Sequence, residues 1–256
     1  MQNAKFQKRL FGTNGVRGVV GKDLTPDLVL TIGEALGTMR KGCIAVGRDT
    51  RTSGETLVKA VKSGLLSTGC NVVDCGILPT PALQYLVKEQ FDGGAMITAS
   101  HNPPEYNGVK IIEADGTEMG DEETLKLEQL IFDLSLSPLP WEHVGQEIPA
   151  PDLVRNYIHA IVHHFPDKIG SGMTVVVDPG SGPSCLTTPQ ILTQMGCRVL
   201  TLNGIMDGTF PGRQPEPSPE GLRTLADLVV SSGAAFGVAH DGDADRSVFI
   251  DEKGSG

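Results

Sequence analysis

Two kinds of apolar pattern alternate along the chain. Residues 44–46 and 175–177 are runs of consecutive apolar side chains, which are typical of strands buried on both faces of a sheet. Leu28, Ile32 and Leu36 recur instead at the spacing of one face of an amphipathic helix. The alternation of the two patterns predicts an α/β fold, with a mostly parallel sheet covered by helices on both faces.

The same patterns set the approximate limits of the elements. Predicted helices cover about residues 25–41, 53–68, 82–89, 121–134 and 152–165, and two more end near Met195 and begin after Pro219. Predicted strands cover about residues 43–47, 71–74, 93–99, 174–178, 198–202, 234–240 and 247–251. Thr25 followed by Pro26 is a typical helix start, and Asp115-Gly116 predicts a hairpin turn.

The second half of the chain repeats the first. Strand 174–178 and its glycine-rich exit parallel residues 44–54, and residues 233–240 parallel residues 93–100. The offset is roughly 130 residues, about the size of one domain. We therefore expect two tandem homologous α/β domains, each a mixed, mostly parallel sheet sandwiched between helices. A proline-dense stretch, 137–151, places their limits at 1–148 and 149–256.

Ser100 lies where an apolar run leaves the predicted sheet. His101 follows it, and Pro103 and Pro104 then break the strand. Because ligands of open α/β sheets bind at the carboxyl ends of the strands, we expect an exposed, reactive serine here. In the repeat, the equivalent strand leads into residues 241–246. If the two domains face each other, these two loops meet.

The loop of the second domain is acidic. Asp241, Asp243 and Asp245 alternate around a glycine, and such carboxylates repel one another unless a cation neutralises them. Hard oxygen ligands of this kind favour Mg²⁺. An EF-hand would need glycine where Arg246 stands, and a helix where residues 247–251 alternate like a strand. The alternative is a solvated acidic turn that binds no metal.

A metal loop that faces a serine indicates phosphoryl transfer, which needs a phosphoryl carrier, a cation and positive clamps. Ser100 would be the carrier, and Arg17, Arg246 and Lys110 would supply clamps or a proton-transfer group. Lys110 would need a depressed pKa to act as a base, which a metal or nearby arginines could provide. No Walker-type phosphate loop is present, which argues against a nucleotide-dependent kinase.

Composition narrows the class of protein further. A formal charge of −10 argues against a general affinity for nucleic acid or an anionic membrane. The five cysteines are odd in number and unclustered, as expected of free thiols in a reducing compartment. With no signal peptide or membrane-length apolar run, the expectation is a soluble cytoplasmic protein. Residues 12–18 have a second interpretation, a tight turn with an exposed Arg17. His159 and His163 have the spacing of two metal ligands on one helix face, but with no third ligand evident an ordinary surface helix is favoured.

Several stretches together resemble the α-D-phosphohexomutase family, which includes phosphoglucosamine mutase and phosphomannomutase/phosphoglucomutase. They are residues 11–18, 98–110 and 241–246, with Gly47-Arg48-Asp49 and residues 215–217 as supporting matches. Their order and spacing cover essentially the whole chain.

The resemblance implies a role for each candidate residue. Ser100 would be carried as phosphoserine, and its phosphate would hold Mg²⁺ together with Asp241, Asp243 and Asp245. The phosphoserine would donate its phosphoryl group to a hexose phosphate, and the hexose bisphosphate would reorient and return the other phosphate. Lys110 matches the general base, Arg17 and Arg246 match arginines near the reacting phosphate, and His101 is a candidate for proton handling.

The resemblance stops short at the end of the chain. Family members have four domains, and the third and fourth, which recognise the sugar and grip the distal phosphate, are absent here. We therefore expect an N-terminal portion that is not fully active alone and that binds the missing domains or itself. A stand-alone Mg²⁺-dependent phosphatase and a non-catalytic domain pair are the alternatives. The sugar could be glucosamine, mannose or glucose.

Overall fold

The structure is a computed structural model that describes residues 10–12, 15–150 and 152–256. Its strands are β1 (Val16–Val19), β2 (Cys43–Arg48), β3 (Asn71–Ile77), β4 (Gly93–Ile97), β5 (Tyr106–Glu113), β6 (Glu147–Ile148), β7 (Thr174–Asp178), β8 (Arg198–Thr201), β9 (Phe236–His240) and β10 (Ser247–Ile250). Its α-helices are α1 (Pro26–Met39), α2 (Gly54–Ser67), α3 (Thr80–Gln90), α4 (Asp121–Phe132), α5 (Leu153–His163), α6 (Thr188–Gln194) and α7 (Arg223–Ser232).

The strands form two separate sheets with one shared topology. The first sheet has the order β1-β5-β4-β2-β3-β6, and the second has the order β10-β9-β7-β8. In each sheet three neighbouring strands are parallel, β4-β2-β3 and β9-β7-β8, and the next strand pairs antiparallel with the first of them: β5 beside β4, and β10 beside β9. The second sheet thus reproduces four neighbouring strands of the first, which confirms the predicted pair of homologous α/β domains.

Helices α1 and α2 pack against each other through two glycines. A Cβ atom on Gly33 would collide with the carbonyl oxygen of Val61, and one on Gly64 would collide with that of Leu30. The backbones can approach this closely only because neither residue has a side chain. The first turn of α1 is capped as predicted, since Thr25 Oγ1 accepts a hydrogen bond of 3.3 Å from Leu28 N.

Each sheet has its own apolar core. Around the first sheet the buried residues fall into two clusters, one with α1 and α2 and one with α3. The clusters around the second sheet are built from residues 175–250. Helix α5 joins the two regions: Leu153 and Tyr157 pack against the α3 cluster, and the same helix contacts α6.

Two segments differ from the prediction. Residues 16–19, which were not predicted as a strand, form edge strand β1, antiparallel to β5. Arg17 lies opposite Gly108 on the sheet, so the alternative of a tight turn with an exposed Arg17 is wrong. Thr13 and Asn14 of the same motif lie outside the described residues. The proline-rich stretch also contains a two-residue strand, β6, paired with β3. Both pairings depend on distant strands, which local sequence does not specify.

Other expectations hold for the described residues. All five cysteines are free thiols, with Cys70 and Cys75 buried. His159 and His163 are exposed on α5, where His163 Nδ1 lies 2.8 Å from the His159 carbonyl oxygen. Among the described residues, no helix is both long enough and apolar enough to cross a membrane.

Candidate active site

Ser100 is held in an unusual conformation directly after β4. Its φ of 51° lies in the left-handed region, which costs free energy for a residue with a Cβ atom. The backbone N of Ser100 donates to Thr98 Oγ1 at 2.9 Å, and its Oγ donates to Asp241 Oδ2 at 2.8 Å. The expected exposure is wrong: Ser100 is only 2% exposed, because the acidic loop of the second domain covers it.

The two loops meet across the domains, as the repeat predicts. A Cβ atom on Gly242 would collide with the carbonyl oxygen of Ser100, so glycine is required for this approach. The first residue of α3, Thr80, makes a second link: its N donates to the carbonyl oxygen of Asp243 at 2.9 Å, and its Oγ1 donates to Asp243 Oδ2 at 2.6 Å. Residues 241–246 join antiparallel strands β9 and β10, which excludes the EF-hand.

The three carboxylates of this loop could hold a metal ion. Each of Asp241, Asp243 and Asp245 offers an oxygen, and these oxygens lie within 4.8 Å of one another. Asp243 Oδ1 is buried and has no hydrogen-bond partner among the described residues. An unpartnered anionic oxygen in such a place is costly, and coordination to a cation would satisfy it.

The environment separates the pKa values of these carboxyls. Burial raises the pKa of Asp241 to about 7, and the charges of Asp243 and Asp245 add to the effect. Burial also opposes ionisation of Asp243, but the ammonium of Lys110 and the hydrogen bond from Thr80 outweigh it and hold its pKa below the ordinary value. One carboxyl of the group is therefore readily protonated while its neighbour stays ionised.

Lys110 on β5 reaches into this carboxylate group. Its Nζ lies 2.7 Å from Asp245 Oδ2, 3.1 Å from Asp243 Oδ2 and 3.5 Å from Glu118 Oε1. Burial alone would lower the pKa of Lys110, but these carboxylates raise it to about 12. The depressed pKa that Lys110 would need to act as a base is thus not supplied by these neighbours, because its ammonium is surrounded by anions.

The remaining candidates stand around the mouth of the site. Arg17 Nη1 donates to Asn102 Oδ1 at 3.2 Å, and its buried Nε has no partner among the described residues. Arg246 Nη2 lies 3.0 Å from Glu216 Oε2 and 3.4 Å from Asp241 Oδ2. Arg17 thus lies beside the serine loop and Arg246 belongs to the acidic loop. Two guanidinium groups are therefore available to bind an anionic ligand.

His101 is the candidate nearest the serine hydroxyl. Its Nδ1 lies 3.4 Å from Ser100 Oγ and 3.8 Å from Glu216 Oε2. Partial burial and the positive charge of Arg246 lower its pKa from the ordinary value. The lowered pKa favours the neutral imidazole over the imidazolium, and an imidazole at this distance can exchange a proton with a neighbouring oxygen.

Several residues of the site escape sequence reasoning. Thr80 contacts Asp243 of the acidic loop, and Glu216 contacts Arg246 and His101, one in each loop. Arg51 contacts the serine loop by donating from Nη2 to the Ser100 carbonyl oxygen at 2.8 Å. Thr80 begins a helix after a parallel strand and Arg51 follows the exit of β2, so both lie at the carboxyl edge of the sheet. That edge position is the signal that could have identified them.

The fold and the site together define a class: a duplicated α/β protein in which a serine loop and a carboxylate loop meet at the carboxyl ends of two parallel sheets. Comparison with family models identifies the family. The model described as "Phosphoglucomutase/phosphomannomutase, alpha/beta/alpha domain I" matches residues 8–137, and the corresponding domain II model matches residues 155–254. The chain belongs to the phosphoglucomutase/phosphomannomutase family.

Individual relatives agree with this membership. A phosphoglucomutase/phosphomannomutase of Thermococcus kodakarensis is 47% identical over 255 residues, covering 96% of this chain and 56% of the relative. A phosphoglucosamine/phosphogalactosamine mutase of Sulfurisphaera tokodaii is 44% identical over 252 residues, covering 96% and 55%. A crystal structure of a family protein from Burkholderia thailandensis superimposes with a TM-score of 0.88 at 30% identity, covering 96% of this chain and 55% of that one. The chain thus spans about half the length of the curated relatives it matches.

Proposed function

We propose that this chain carries the phosphoryl-transfer centre of a phosphohexomutase, an isomerase that moves a phosphoryl group between the 1- and 6-positions of a hexose phosphate. Ser100 is the phosphoryl carrier. The observation that carries the proposal is the 2.8 Å contact between Ser100 Oγ and Asp241 Oδ2, which joins the serine to the carboxylate group across two domains. Family membership supports the reaction type.

The metal of this proposal is Mg²⁺, held by Asp241, Asp243, Asp245 and the phosphate on Ser100. The orphaned Asp243 Oδ1 and the mutual approach of the carboxylates fit a hard divalent cation. When bound, Mg²⁺ neutralises charge on the phosphoryl group in transfer. Arg17 and Arg246 add positive charge for the same group, and Asp243 is fixed for its role by Thr80.

Transfer from Ser100 moves one proton from the hexose hydroxyl to the serine. The bond from phosphorus to Ser100 Oγ breaks as the bond to the hexose oxygen forms. Neutral Lys110 takes the hydroxyl proton, and the imidazolium form of His101, 3.4 Å from Ser100 Oγ, gives a proton to the departing serine oxygen and is left as neutral imidazole. Asp243 and Asp245 raise the pKa of Lys110 to about 12. Lys110 could therefore accept a proton only if a bound cation neutralised these two carboxylates.

The whole protein's substrate is a hexose phosphate with a hexose bisphosphate intermediate, and the hexose is glucosamine, mannose or glucose. We propose that residues 1–148 and 149–256 are the first two domains of this protein, and that the chain acts together with C-terminal domains that bind the sugar and the distal phosphate. Half-length coverage of the relatives supports this arrangement. Because binding energy for reorientation would come from those domains, the isolated chain should transfer a phosphoryl group without completing the isomerisation.

Loading of Ser100 tests the proposal. The chain is incubated with a hexose 1,6-bisphosphate and Mg²⁺, and its intact mass and phosphopeptides are followed with time. We expect a single phosphate on Ser100, no adduct in Ser100→Ala, and slower loading in Asp243→Asn. Stoichiometric phosphorylation at another residue, or an adduct that persists in Ser100→Ala, would refute Ser100 as the carrier. Steady release of inorganic phosphate would indicate the phosphatase alternative instead.

A further inference from the structure

The second domain contains a buried ion pair that the proposed reaction does not use. Arg213 Nε donates to Asp178 Oδ2 at 2.8 Å, with side-chain exposures of 2% and 0%. Arg213 Nη2 donates to the carbonyl oxygen of His240 at 2.6 Å, and Nη1 donates to that of Gln214 at 3.1 Å. One guanidinium group therefore joins the exit of β7 to the last residue before Asp241.

Asp178 is equally well connected. Its Oδ1 accepts from Gly180 N at 2.8 Å and from Asn203 Nδ2 at 3.1 Å, so the turns after β7 and β8 are tied to the same carboxylate. Arg213 also donates from Nη2 to the Asp178 carbonyl oxygen at 3.2 Å. The carboxyl ends of all three parallel strands of this sheet, β7, β8 and β9, are therefore hydrogen-bonded to Asp178 or Arg213.

The first domain has the same device at the equivalent place. Asp49 directly follows β2, its Oδ1 accepts from Arg51 N at 2.9 Å, and its Oδ2 accepts from Arg51 Nε at 3.0 Å. Arg51 Nη2 donates to the carbonyl oxygens of Ser100 and Asn102 at 2.8 and 2.6 Å. Arg51 thus ties the serine loop to β2 as Arg213 ties the metal loop to β7.

The two arginines come from different places in the repeat. Arg51 stands two residues after its aspartate, whereas Arg213 stands 35 residues after Asp178. Inheritance of the duplicated backbone alone would put both arginines at one offset. The same geometry is therefore built by two routes along the chain, which points to a requirement of the site itself.

We propose that Arg213, fixed by Asp178, is a positioning residue that sets the metal loop through the His240 carbonyl oxygen, as Arg51 and Asp49 set the Ser100 loop. The inference rests on the proposed function for what the loop does, although not for its positioning. A planar guanidinium can satisfy a carboxylate and several carbonyl oxygens in fixed directions, which the single nitrogen of lysine cannot. The loop carbonyls are thereby held before any cation arrives.

Arg213→Lys tests the proposal in the full metal-free chain. Hydrogen exchange is measured by mass spectrometry, and affinity for Mn²⁺ alone is measured by electron paramagnetic resonance. We expect exchange of residues 241–246 to rise about tenfold, the factor for one lost charge-assisted hydrogen bond. We expect Mn²⁺ affinity to fall about tenfold or more, as for other residues that orient metal ligands. Arg51→Lys should raise exchange chiefly in residues 100–106.

Controls separate positioning from general loss of stability. Arg40→Lys removes a paired arginine remote from the site, bonded to Glu113 and Glu123, and should change neither loop. Asp178→Asn, which keeps the shape of the side chain, replaces Arg213→Lys if that variant does not fold. If exchange in residues 241–246 rises no more than in the rest of the chain, the positioning role is refuted. If exchange rises selectively but the unaltered chain does not bind Mn²⁺, the positioning role stands and the proposed metal site falls.

Discussion

At the scale of single residues, Lys110 occupies the place where a metal cation would be needed. Its ammonium lies within 3.1 Å of both Asp243 and Asp245, and it is the group that balances their charge in the metal-free chain. A bound divalent cation must therefore compete with Lys110 for the same oxygens. The lysine is at once a stabilising counter-ion and a competitor of the metal.

Replacing Lys110 by methionine separates these two effects. Because the buried carboxylate of Asp243 loses its cation, and the partly exposed carboxylate of Asp245 loses it too, the free energy of unfolding without metal should fall by about 3 kcal/mol. Excess Mg²⁺ should restore much of this loss and should bind more tightly than to the unaltered chain. Urea unfolding with and without Mg²⁺, together with calorimetric titration, measures both effects.

Lys62→Met is the matched control for this variant. Lys62 also joins two carboxylates, Asp74 and Glu147, but its side chain is 13% exposed and remote from the site. The free energy of unfolding of Lys62→Met should be lower by about 1 kcal/mol or less, with or without Mg²⁺. An equal loss for Lys110→Met in the two metal conditions would contradict competition between Lys110 and Mg²⁺.

Asp49 gives a pH dependence of stability. Burial raises its pKa from 3.8 to about 6 against the opposing charge of Arg51. A carboxyl whose pKa is raised in the folded state contributes most below its unfolded pKa, and the contribution falls as the pH rises through the folded pKa. The shift corresponds to about 3 kcal/mol between pH 4 and pH 6. Asparagine mimics the protonated form, so Asp49→Asn should lack this decline.

The measurement is urea unfolding of both proteins in chelator at pH 4, 5, 6 and 7. Relative to the unaltered chain, Asp49→Asn should become progressively more stable as the pH rises to about 6. Parallel profiles would mean that Asp49 is ionised throughout this range in the folded protein.

The limits of sequence reasoning at this scale are electrostatic. The identity of the acidic triad follows from its spacing, and its burial against a lysine does not. Ser100 was expected to be exposed and is covered, and the raised pKa of Lys110 does not follow from its own sequence position. Local sequence gives neither property, because the decisive neighbours lie more than 130 positions away along the chain, at Asp241 and Asp245.

At the scale of elements, the contact between α1 and α2 reverses an ordinary rule. Gly to Ala in a helix normally stabilises by about 1 kcal/mol. At Gly64, however, the added Cβ would collide with the Leu30 carbonyl oxygen and lie 2.6 Å from Glu34 N. Overpacking of this kind costs about 1–3 kcal/mol, and a backbone obstacle cannot rotate away.

Gly64→Ala should therefore destabilise the chain by about 2 kcal/mol in urea unfolding. Ser63→Ala, at the neighbouring exposed position of the same helix, should stay within about 0.5 kcal/mol of the unaltered protein. A stabilised Gly64→Ala would show that the two helices can move apart at little cost.

Most elements could be predicted because their patterns are local. The cap at Thr25 and the apolar stripe of α1 are set within one helix, and the run 175–177 is apolar whatever its neighbours. Strand β1 has no such signal, since its four residues gain their form by pairing with β5. Strand β6 depends in the same way on β3, and neither could be read from its own residues.

At the scale of the whole molecule, the duplication made the meeting of the two loops predictable. It could not give the polar contacts that lock them together, such as that of Thr80 with Asp243. These contacts leave little room: Ser100 Oγ and Asp241 Oδ2 are already 2.8 Å apart. A phosphate on Ser100 must therefore change the relation between the domains or recruit a cation.

This crowding predicts a metal-dependent shape for the phosphorylated chain. A phosphoserine adds a charge of about −1.5 to −2 beside the acidic triad. In chelator, small-angle X-ray scattering should give a larger radius of gyration for the chain phosphorylated on Ser100 than for the unmodified chain. Mg²⁺ should return it to the compact value. Ser100→Ala, which loses a hydrogen bond without gaining charge, should stay compact in chelator; superimposable curves for all three would contradict the prediction.

The separate apolar cores have a consequence for cooperativity. Among the residues that the structure describes, no buried residue belongs to the clusters of both sheets. The links between the domains include the polar contacts of the site and helix α5. Single domains melt in one step, whereas domain pairs need not. Scanning calorimetry of the metal-free chain should thus record two overlapping heat-absorption peaks, and a divalent cation that bridges phosphorylated Ser100 to the acidic triad should merge them into one. The width of the calorimetric melting transition would then report whether the site holds a cation.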